Sequence, residues 1–259
     1  MRILTWNVNS VRLRLDLLAD LAREVHPDVM CLQETKVVDE LFPTDAIAEI
    51  GYPHQAVRGM KSYNGVAILS RHPITASSHV SWCEKDDCRH VQAEIEGVTI
   101  HNFYVPAGGD IPDPDENVKF AHKLRFLDEV AEHFGRQQDH PAILLGDLNI
   151  APLETDVWSH RQLLDVVSHT PIEVEKLAAW QGSMGWVDAV RRFIPPEERL
   201  YSWWSYRASD WDLSDRGRRL DHIWASPSLA PRLTGAMILR EVRGWEPASD
   251  HVPVIADLV

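Results

Sequence analysis

Cysteine is scarce in this chain: Cys31, Cys83 and Cys88 are the only three. An odd count, with no second pair and no histidines nearby at ligand spacing, excludes a disulfide framework and a thiolate zinc site. Cys31 lies in an apolar run and reads as a core residue, whereas Cys83 and Cys88 stand in a polar stretch; all three are expected as reduced thiols with no catalytic part. Long hydrophobic runs are also missing, so nothing matches a membrane span. Met1 to Asn7 passes directly into strand-like sequence without the charged start, apolar stretch and small-residue cleavage site of a secretion signal, which leads to the expectation of a cytoplasmic protein. Neither the G-x-S-x-G elbow of a serine hydrolase nor the G-x-x-x-x-G-K-[ST] phosphate loop occurs. Positive charge is in deficit, with 26 Lys and Arg against 39 Asp and Glu and a net charge of -13. That balance argues against broad adhesion to a polyanion, which needs cationic contacts to phosphate. A local basic face stays open, as does a divalent cation that inverts the field of an acidic cluster.

No Pro/Gly/Ser linker, low-complexity tract or internal repeat divides the 259 residues. Apolar runs recur from Ile3 to Val254, and a chain of this length removes roughly 70 to 75% of its extended surface from water. One domain spanning 1–259 is expected.

The pattern begins strand, helix, strand. Ile3 to Val8 reads as a strand; Leu13, Leu17, Leu18 and Leu21 recur at helical spacing until His26-Pro27; Asp28 to Glu34 reads as a second strand. A buried strand leads to Ser70, Arg71 to Ile74 reads as the turn out of it, and a hairpin turning at Gly97 joins His90–Ile95 to Gly97–Tyr104. Asp110 to Glu116 reads as a solvated acidic loop, and Val118 to Phe134 as an amphipathic helix. Gly185 to Arg191 looks like a short helix, and Leu163 to Val167 is too irregular to assign.

The most informative stretch is Ala142 to Asn149, A-I-L-L-G-D-L-N. An apolar strand ends at a glycine, followed by a carboxylate and a carboxamide two residues apart, which in extended chain would point to one side. The alternative is a turn made by Gly146 and Asn149 and capped by Asp147. Asn7, Glu34 and Tyr104 likewise stand at predicted strand ends, where ligands of open α/β sheets gather. Asp250-His251 precedes the last strand as either a turn or a ligand and phosphate-binding pair. Tyr201 to Arg207 and Arg216 to Ser226 are the most basic and aromatic part. They suit either a nucleic-acid face, through stacking and phosphate neutralisation, or a strand pair with core tryptophans and solvated arginines.

Together Asn7, Glu34, Tyr104, Asp147, Asn149, Asp221, Asp250 and His251 form a set of hard oxygen donors with one imidazole, suited to Mg²⁺ or Mn²⁺ rather than zinc. Metal-assisted phosphoryl chemistry needs an activated water, a cation on the developing charge and donors around the phosphate, and every chemical type is present.

The order of motifs, T-W-N-V-N at Thr5 to Asn9, L-Q-E-T-K at Leu32 to Lys36, N-x-Y-x-P-x-G at Asn102 to Gly108, G-D-L-N at Gly146 to Asn149, R-L-D at Arg219 to Asp221 and S-D-H at Ser249 to His251, resembles the exonuclease III family of abasic-site DNA repair endonucleases, within the endonuclease/exonuclease/phosphatase superfamily. The resemblance implies a DNase I-like four-layer αββα sandwich of two mixed β-sheets flanked by helices. It implies Mg²⁺ held by Glu34 and Asp250 with Asn7 in support, Asp147 orienting or deprotonating water, Asn149 and Tyr104 on the scissile phosphate, and His251 paired with Asp221. For double-stranded DNA it implies Arg12, Lys36 and Tyr63 on the backbone, Trp203 and Leu220 in a pocket for a baseless sugar, and Arg207 inserted into the duplex. The implied activity is incision 5′ to abasic sites, with 3′-end cleaning and 3′ to 5′ exonuclease action, by a monomer. Two residues depart from the pattern: Ala107 stands where several relatives have an amide, and Arg218 where some have a large apolar residue. A same-fold phosphoesterase acting on an inositol phosphate, a phospholipid head group or undamaged DNA is the alternative enzyme, and a non-catalytic nucleic-acid-binding regulator the alternative of another class.

Overall fold

The computed structural model describes residues 1–259. In chain order the elements are β1 (Arg2–Asn7), α1 (Leu15–Glu24), β2 (Val29–Gln33), α2 (Thr44–Glu49), β3 (His54–Arg58), β4 (Val66–Ser70), β5 (Ile74–Ser78), β6 (His90–Ile95), β7 (Val98–Tyr104), α3 (Val118–Gly135) and β8 (Ala142–Asp147). They continue with α4 (His160–Leu163), α5 (Pro171–Ser183), β9 (Val187–Asp188), β10 (Trp203–Trp204), α6 (Trp211–Ser214), β11 (Gly217–Arg218), β12 (Asp221–Ala225), β13 (Leu233–Ile238) and β14 (Val254–Leu258). Two six-stranded mixed sheets result, ordered β13-β14-β1-β2-β4-β3 and β5-β6-β7-β8-β12-β9, with β10-β11 as a separate two-stranded ribbon.

The near-continuous apolar strands are explained by burial on both faces. In β1, Ile3 joins a core shared with Ile100, Ile143 and Ile223 of the other sheet. Its neighbours Leu4 and Trp6 face Leu17, Leu18 and Leu21 of α1 on the outside. On the far side, Phe103 and Leu144 pack under Phe126 and Phe134 of α3 and Trp180 of α5. The layers are therefore helix, sheet, sheet, helix, as expected. A buried polar bridge also spans the sheets: Gln33 donates to Asn102 Oδ1 at 2.7 Å, and Asn102 donates to the carbonyls of Leu32 and Ala67, each at 2.9 Å. No helix is long and apolar enough to cross a membrane.

Several local expectations need correction. Gly185 to Arg191 forms no helix; Val187 and Asp188 pair with Ala225 and Trp224 instead. The Asp188 carboxylate accepts from the backbone of Val190 and Arg191 and from Arg219, which fixes a turn. Ile74, expected in a turn, starts β5. Cys83 stands in polar sequence but is buried against an aromatic cluster with Trp82 and Phe126, and burial pushes its thiol up to about 11. The helix α5 went unrecognised although Thr170-Pro171-Ile172-Glu173 carries its capping box, with Thr170 and Glu173 bonding reciprocally and proline in the first turn.

Candidate active site

Strand direction gathers the site. β1 and β2 run parallel, as do β7 and β8, so Asn7, Glu34, Tyr104 and Asp147 come to strand ends on one side of the sandwich. The antiparallel strand β12 starts where β8 ends, placing Asp221 opposite Asp147. His251 reaches the same place just ahead of β14, where it bridges to Trp203. The cleft has a volume of about 600 Å³.

At the end of β8, both sequence alternatives hold at once. Asn149 is left-handed at φ 54°, so the chain has left the strand, and the turn is closed by Asn149 N donating to Asp147 Oδ1 at 3.0 Å. That turn, rather than extended chain, sets the two side chains together, and Asn149 Nδ2 donates to Asp147 Oδ2 at 3.2 Å and to Val105 O at 2.9 Å. Both amide hydrogens are so engaged, and Asn149 braces the Asp147 carboxylate. Gly146 is obligatory here: it sits at φ 136°, and a Cβ would lie 1.9 Å from the carbonyl oxygen of Phe103.

Asn7 is the hub. Its Nδ2 donates to Asp147 Oδ2 at 2.9 Å and to Glu34 Oε1 at 3.0 Å. Glu34 also accepts from the Tyr104 hydroxyl at 2.9 Å and pairs with Lys36 at 2.7 Å. Its backbone is left-handed at φ 51°, a conformation that a non-glycine residue adopts only when its surroundings enforce it. Burial opposes its ionisation, but the bonds from Asn7 and Lys36 outweigh burial and hold the carboxyl below its usual range. Burial and the Glu34 charge raise the Tyr104 hydroxyl well above its ordinary value, so it stays a donor.

His251 stands between two carboxylates, with Nδ1 2.8 Å from Asp221 Oδ2 and Nε2 3.6 Å from Asp147 Oδ2. Burial disfavours the imidazolium, yet Asp221 and Asp147 outweigh it and lift the pKa to about 10. Asp147 moves to about 7, raised chiefly by burial and also by Asp221 and Glu34 against the opposing charge of His251 and the bond from Asn7. A buried carboxylate poised there is suited to accept a proton near neutrality.

The ligand atoms of Asp147, Asp221 and His251 lie within 4.8 Å of one another, an acidic group able to hold a divalent cation. A protonated imidazole cannot be a ligand, however, and while it stays charged it fills that role itself. Glu34 and Asp250 differ: their oxygens accept from amides, a phenol, an indole and one ammonium, and keep lone pairs free for a hard cation. The donor set thus fits Mg²⁺ or Mn²⁺. Asn7 turns its amide nitrogen to the carboxylates, and its Oδ1 accepts from Asn9 N at 3.1 Å.

Of the expected DNA contacts, Trp203, Arg207 and Leu220 line the cleft. Trp203 Nε1 donates to Asp250 Oδ2 at 3.0 Å, and Leu220 is buried beside it. The ribbon also settles the tryptophan alternatives: Trp203 pairs with Arg218 and Trp204 with Gly217, so a strand pair exists, with Trp204 in the core and Trp203 facing the cleft. Lys36 joins Glu34 and is not free of the site. Arg12 and Tyr63 are exposed and are absent from the cleft lining.

A profile of the endonuclease/exonuclease/phosphatase family matches residues 4–251. The chain belongs to this family. It is 29% identical over 272 residues to exodeoxyribonuclease III of Haemophilus influenzae, covering 99% of each chain. It is 32% identical over 263 residues to an exodeoxyribonuclease of Bacillus subtilis, covering 98% of each. Among solved structures it matches an AP endonuclease from Archaeoglobus fulgidus with a TM-score of 0.92 and 33% identity, over 100% of this chain and 99% of that one. It also matches a 3′ phosphatase, NExo, from Neisseria bound to a product DNA hairpin, with a TM-score of 0.89 and 30% identity over 100% and 99% of the two chains. As a member of the endonuclease/exonuclease/phosphatase family, the chain is a hydrolytic enzyme.

Residues that sequence reasoning missed also brace the site of this family member. Ser202 Oγ donates to Asp221 Oδ2 at 2.7 Å and accepts from the backbone of Leu220 and Asp221, fixing the carboxylate that holds His251. Asn9 Nδ2 reaches Asp250 Oδ1 at 3.3 Å. Lys123, wholly buried, pairs with Glu173 and donates to the carbonyls of Asn149 at 2.8 Å and Ala107 at 3.3 Å, tying two cleft loops to α3. Nothing in the local sequence distinguishes Ser202 from its neighbours, and Lys123 reads as one more polar residue of an amphipathic helix.

Proposed function

We propose that this protein is a Mg²⁺-dependent DNA repair nuclease that incises duplex DNA 5′ to abasic sites, removes phosphate and phosphoester groups from 3′ ends, and degrades duplex strands from 3′ to 5′. The observation that carries the reading is Asp147, poised near neutrality by burial and linked through Asn7 to Glu34 and by charge to His251. Relatives named exodeoxyribonuclease III and AP endonuclease support DNA as the substrate. The cation acts as a Lewis acid on a phosphate oxygen when bound, and Glu34 and Asp250 are the residues that would hold it.

Asp147 takes the proton of the attacking water, with Asn7 and Asn149 fixing its orientation. Imidazolium His251, kept charged by Asp221, faces the negative charge that develops on phosphate. Tyr104 keeps its hydroxyl proton, which it gives to Glu34 in the free site and turns towards the same oxygens as a hydrogen bond when phosphate binds. Trp203 and Leu220 supply the apolar wall for an extruded baseless sugar, which leaves the helix at low cost because it neither pairs nor stacks. The protein acts as a monomeric single domain in the cytoplasm, with Arg12, Lys36 and Tyr63 on the flanking DNA backbone and Arg207 in the duplex. The test is a panel: a duplex with one stable abasic analogue, an undamaged duplex and a 3′-phosphate end. Cutting just 5′ of the lesion, leaving a 3′ hydroxyl, is expected; cleavage of none of the three would overturn the reading.

A further inference from the structure

Asp250 enters the site on a segment that no sheet ladder holds: the chain from Pro247 to Asp250 belongs to no strand or helix. Its course is set by side chains, and Arg14 holds its first two carbonyls. Arg14 stands just ahead of α1 and is 6% exposed. Nε donates to Pro247 O at 3.2 Å, and Nη2 donates to Ala248 O at 2.5 Å and to the Tyr206 hydroxyl at 3.1 Å. Nη1 donates to Asn9 O. All these partners are oxygens of carbonyls and a phenol, none a carboxylate. No other group donates to Asn9 O or Pro247 O. A buried charge is costly unless its N–H groups are taken up, and this one spends its fork on three separate segments: the loop after β1, the approach to β14, and the loop after β10 that carries Arg207.

All three segments bear on Asp250. Asn9 and Ser10 hold left-handed backbones at φ 45° and 92°, a strain that persists only where neighbours enforce it. The Asn9 side chain lies between Asp250 Oδ1 and the Tyr206 hydroxyl, with Nδ2 3.3 Å from each. The Tyr206 hydroxyl donates to Ala248 O at 2.9 Å. On the same stretch, Trp204 N donates to Asp250 O at 2.9 Å and Trp203 Nε1 to Asp250 Oδ2 at 3.0 Å. Ser249 Oγ donates to Asn7 O at 2.7 Å, which joins the segment to β1 from the other side. Asn9 thus aims one oxygen of Asp250, and Arg14 holds both the carbonyl of Asn9 and the chain that delivers Asp250. Arg14 itself is absent from the cleft lining.

We infer that Arg14 is a positioning residue for the cation site: one guanidinium, clamping Asn9, Pro247 and Ala248 and joined to Tyr206, sets where the Asp250 carboxylate stands relative to Glu34. The inference rests on the proposed reading of Glu34 and Asp250 as the residues that hold the divalent cation. Methionine at this position fills much of the volume but leaves Asn9 O and Pro247 O without a donor and frees the approach to Asp250. A site that is assembled for only a fraction of the time binds its ion more weakly in proportion to that fraction. Lysine keeps the charge, but a compact ammonium lacks the planar fork that reaches three segments at once. The loss therefore falls on cation affinity and not on the chemistry, since a saturating cation draws Asp250 back into place.

The test titrates Mn²⁺ into the DNA-free protein, reading the unbound ion by electron paramagnetic resonance, beside single-turnover incision of an abasic duplex over the same range of Mn²⁺. The number of sites per chain reports any unfolded fraction, so the Kd reads the placement of the ligands alone. Arg14→Met and Arg14→Lys should each raise the Kd for Mn²⁺ roughly tenfold, the lower end of losses for residues behind metal ligands. At saturating Mn²⁺ both should regain the wild-type incision rate to within about twofold, as a shifted assembly equilibrium requires. Tyr206→Phe, which removes the hydroxyl and keeps the guanidinium, should raise the Kd roughly threefold, the scale of one neutral hydrogen bond. A wild-type Kd in the folded Arg14 variants, or a rate that stays low at saturating Mn²⁺, would overturn the inference and leave the nuclease reading standing. Should neither Arg14 variant fold, an unchanged Kd in Tyr206→Phe would overturn it. A wild-type chain with no Mn²⁺ site would overturn the cation reading as well.

Discussion

Replacing Asp221 by Asn tests the electrostatics of the site most sharply, because one carboxylate acts on two titrating groups with defined signs. Its charge is the largest influence raising His251 to about 10, against burial. The same charge adds to burial in raising Asp147 to about 7. In wild type the rate should rise with pH as Asp147 loses its proton near 7 and fall as His251 loses its own near 10, the two titrating as a coupled pair. Asp221→Asn keeps the size of the side chain and an acceptor for His251 Nδ1, but removes the charge. Both limbs then move to lower pH, the alkaline one further, since it also loses the charge-assisted bond of 2.8 Å. A buried bond to a charged group contributes about 1.5 to 3 kcal/mol, so kcat/KM at neutral pH should fall roughly 10- to 100-fold. Stability follows the same sign: a folded pKa about 10 for His251 against 6.5 unfolded means stabilisation fully present below 6.5 and lost as pH rises through 10. Single-turnover release of 3′-phosphate from duplex DNA, measured from pH 5 to 11, reads both limbs. An alkaline limb that stays in place or moves up would refute the reasoning.

Trp203→Ala should slow incision at an abasic analogue more than release of a 3′-phosphate, because only the former fills the wall between Trp203 and Leu220; equal losses in parallel assays would undercut that assignment. Lys123→Met strands Glu173 in the core, where both partners are wholly buried. Breaking such a pair costs about 3 to 5 kcal/mol, and thermal denaturation should show a Tm lower by roughly 10 °C. Glu34→Gln and Asp250→Asn should each raise the Mg²⁺ concentration for half-maximal rate at least tenfold, roughly the scale of losses at metal sites; an unaltered Mg²⁺ dependence in both would remove them as ligands.

How much of this was legible follows from where each signal sits in the chain. Asn7, Glu34, Tyr104 and Asp147 announce themselves because an apolar run that stops at a polar residue marks a strand end, and parallel pairing of β1 with β2 and β7 with β8 brings such ends together. Asp147 and Asn149 were a turn or a site by sequence; the left-handed Asn149 makes them both. The contacts of Ser202 with Asp221, and of Arg218 with Trp203 and Ser168, join residues that only the tertiary fold brings side by side. α5 was hidden for a different reason: its capping box is local, but its apolar face carries only Leu177 and Trp180 as buried hydrophobics, too few to show a period. Asp188 shows the opposite failure, since apparent helix sequence was overridden by its bond to Arg219, far along the chain.

The most direct measurement is strand incision by wild type and Asp147→Asn on a duplex with a single stable abasic analogue, with Mg²⁺ and with chelator, beside a binding titration of the same duplex. The account predicts wild-type cutting just 5′ of the lesion only when Mg²⁺ is present. For Asp147→Asn it predicts retained binding with cleavage slower by about 10² to 10⁴-fold, the contribution of a positioned general base. Cutting in chelator, or wild-type turnover by Asp147→Asn, would contradict it.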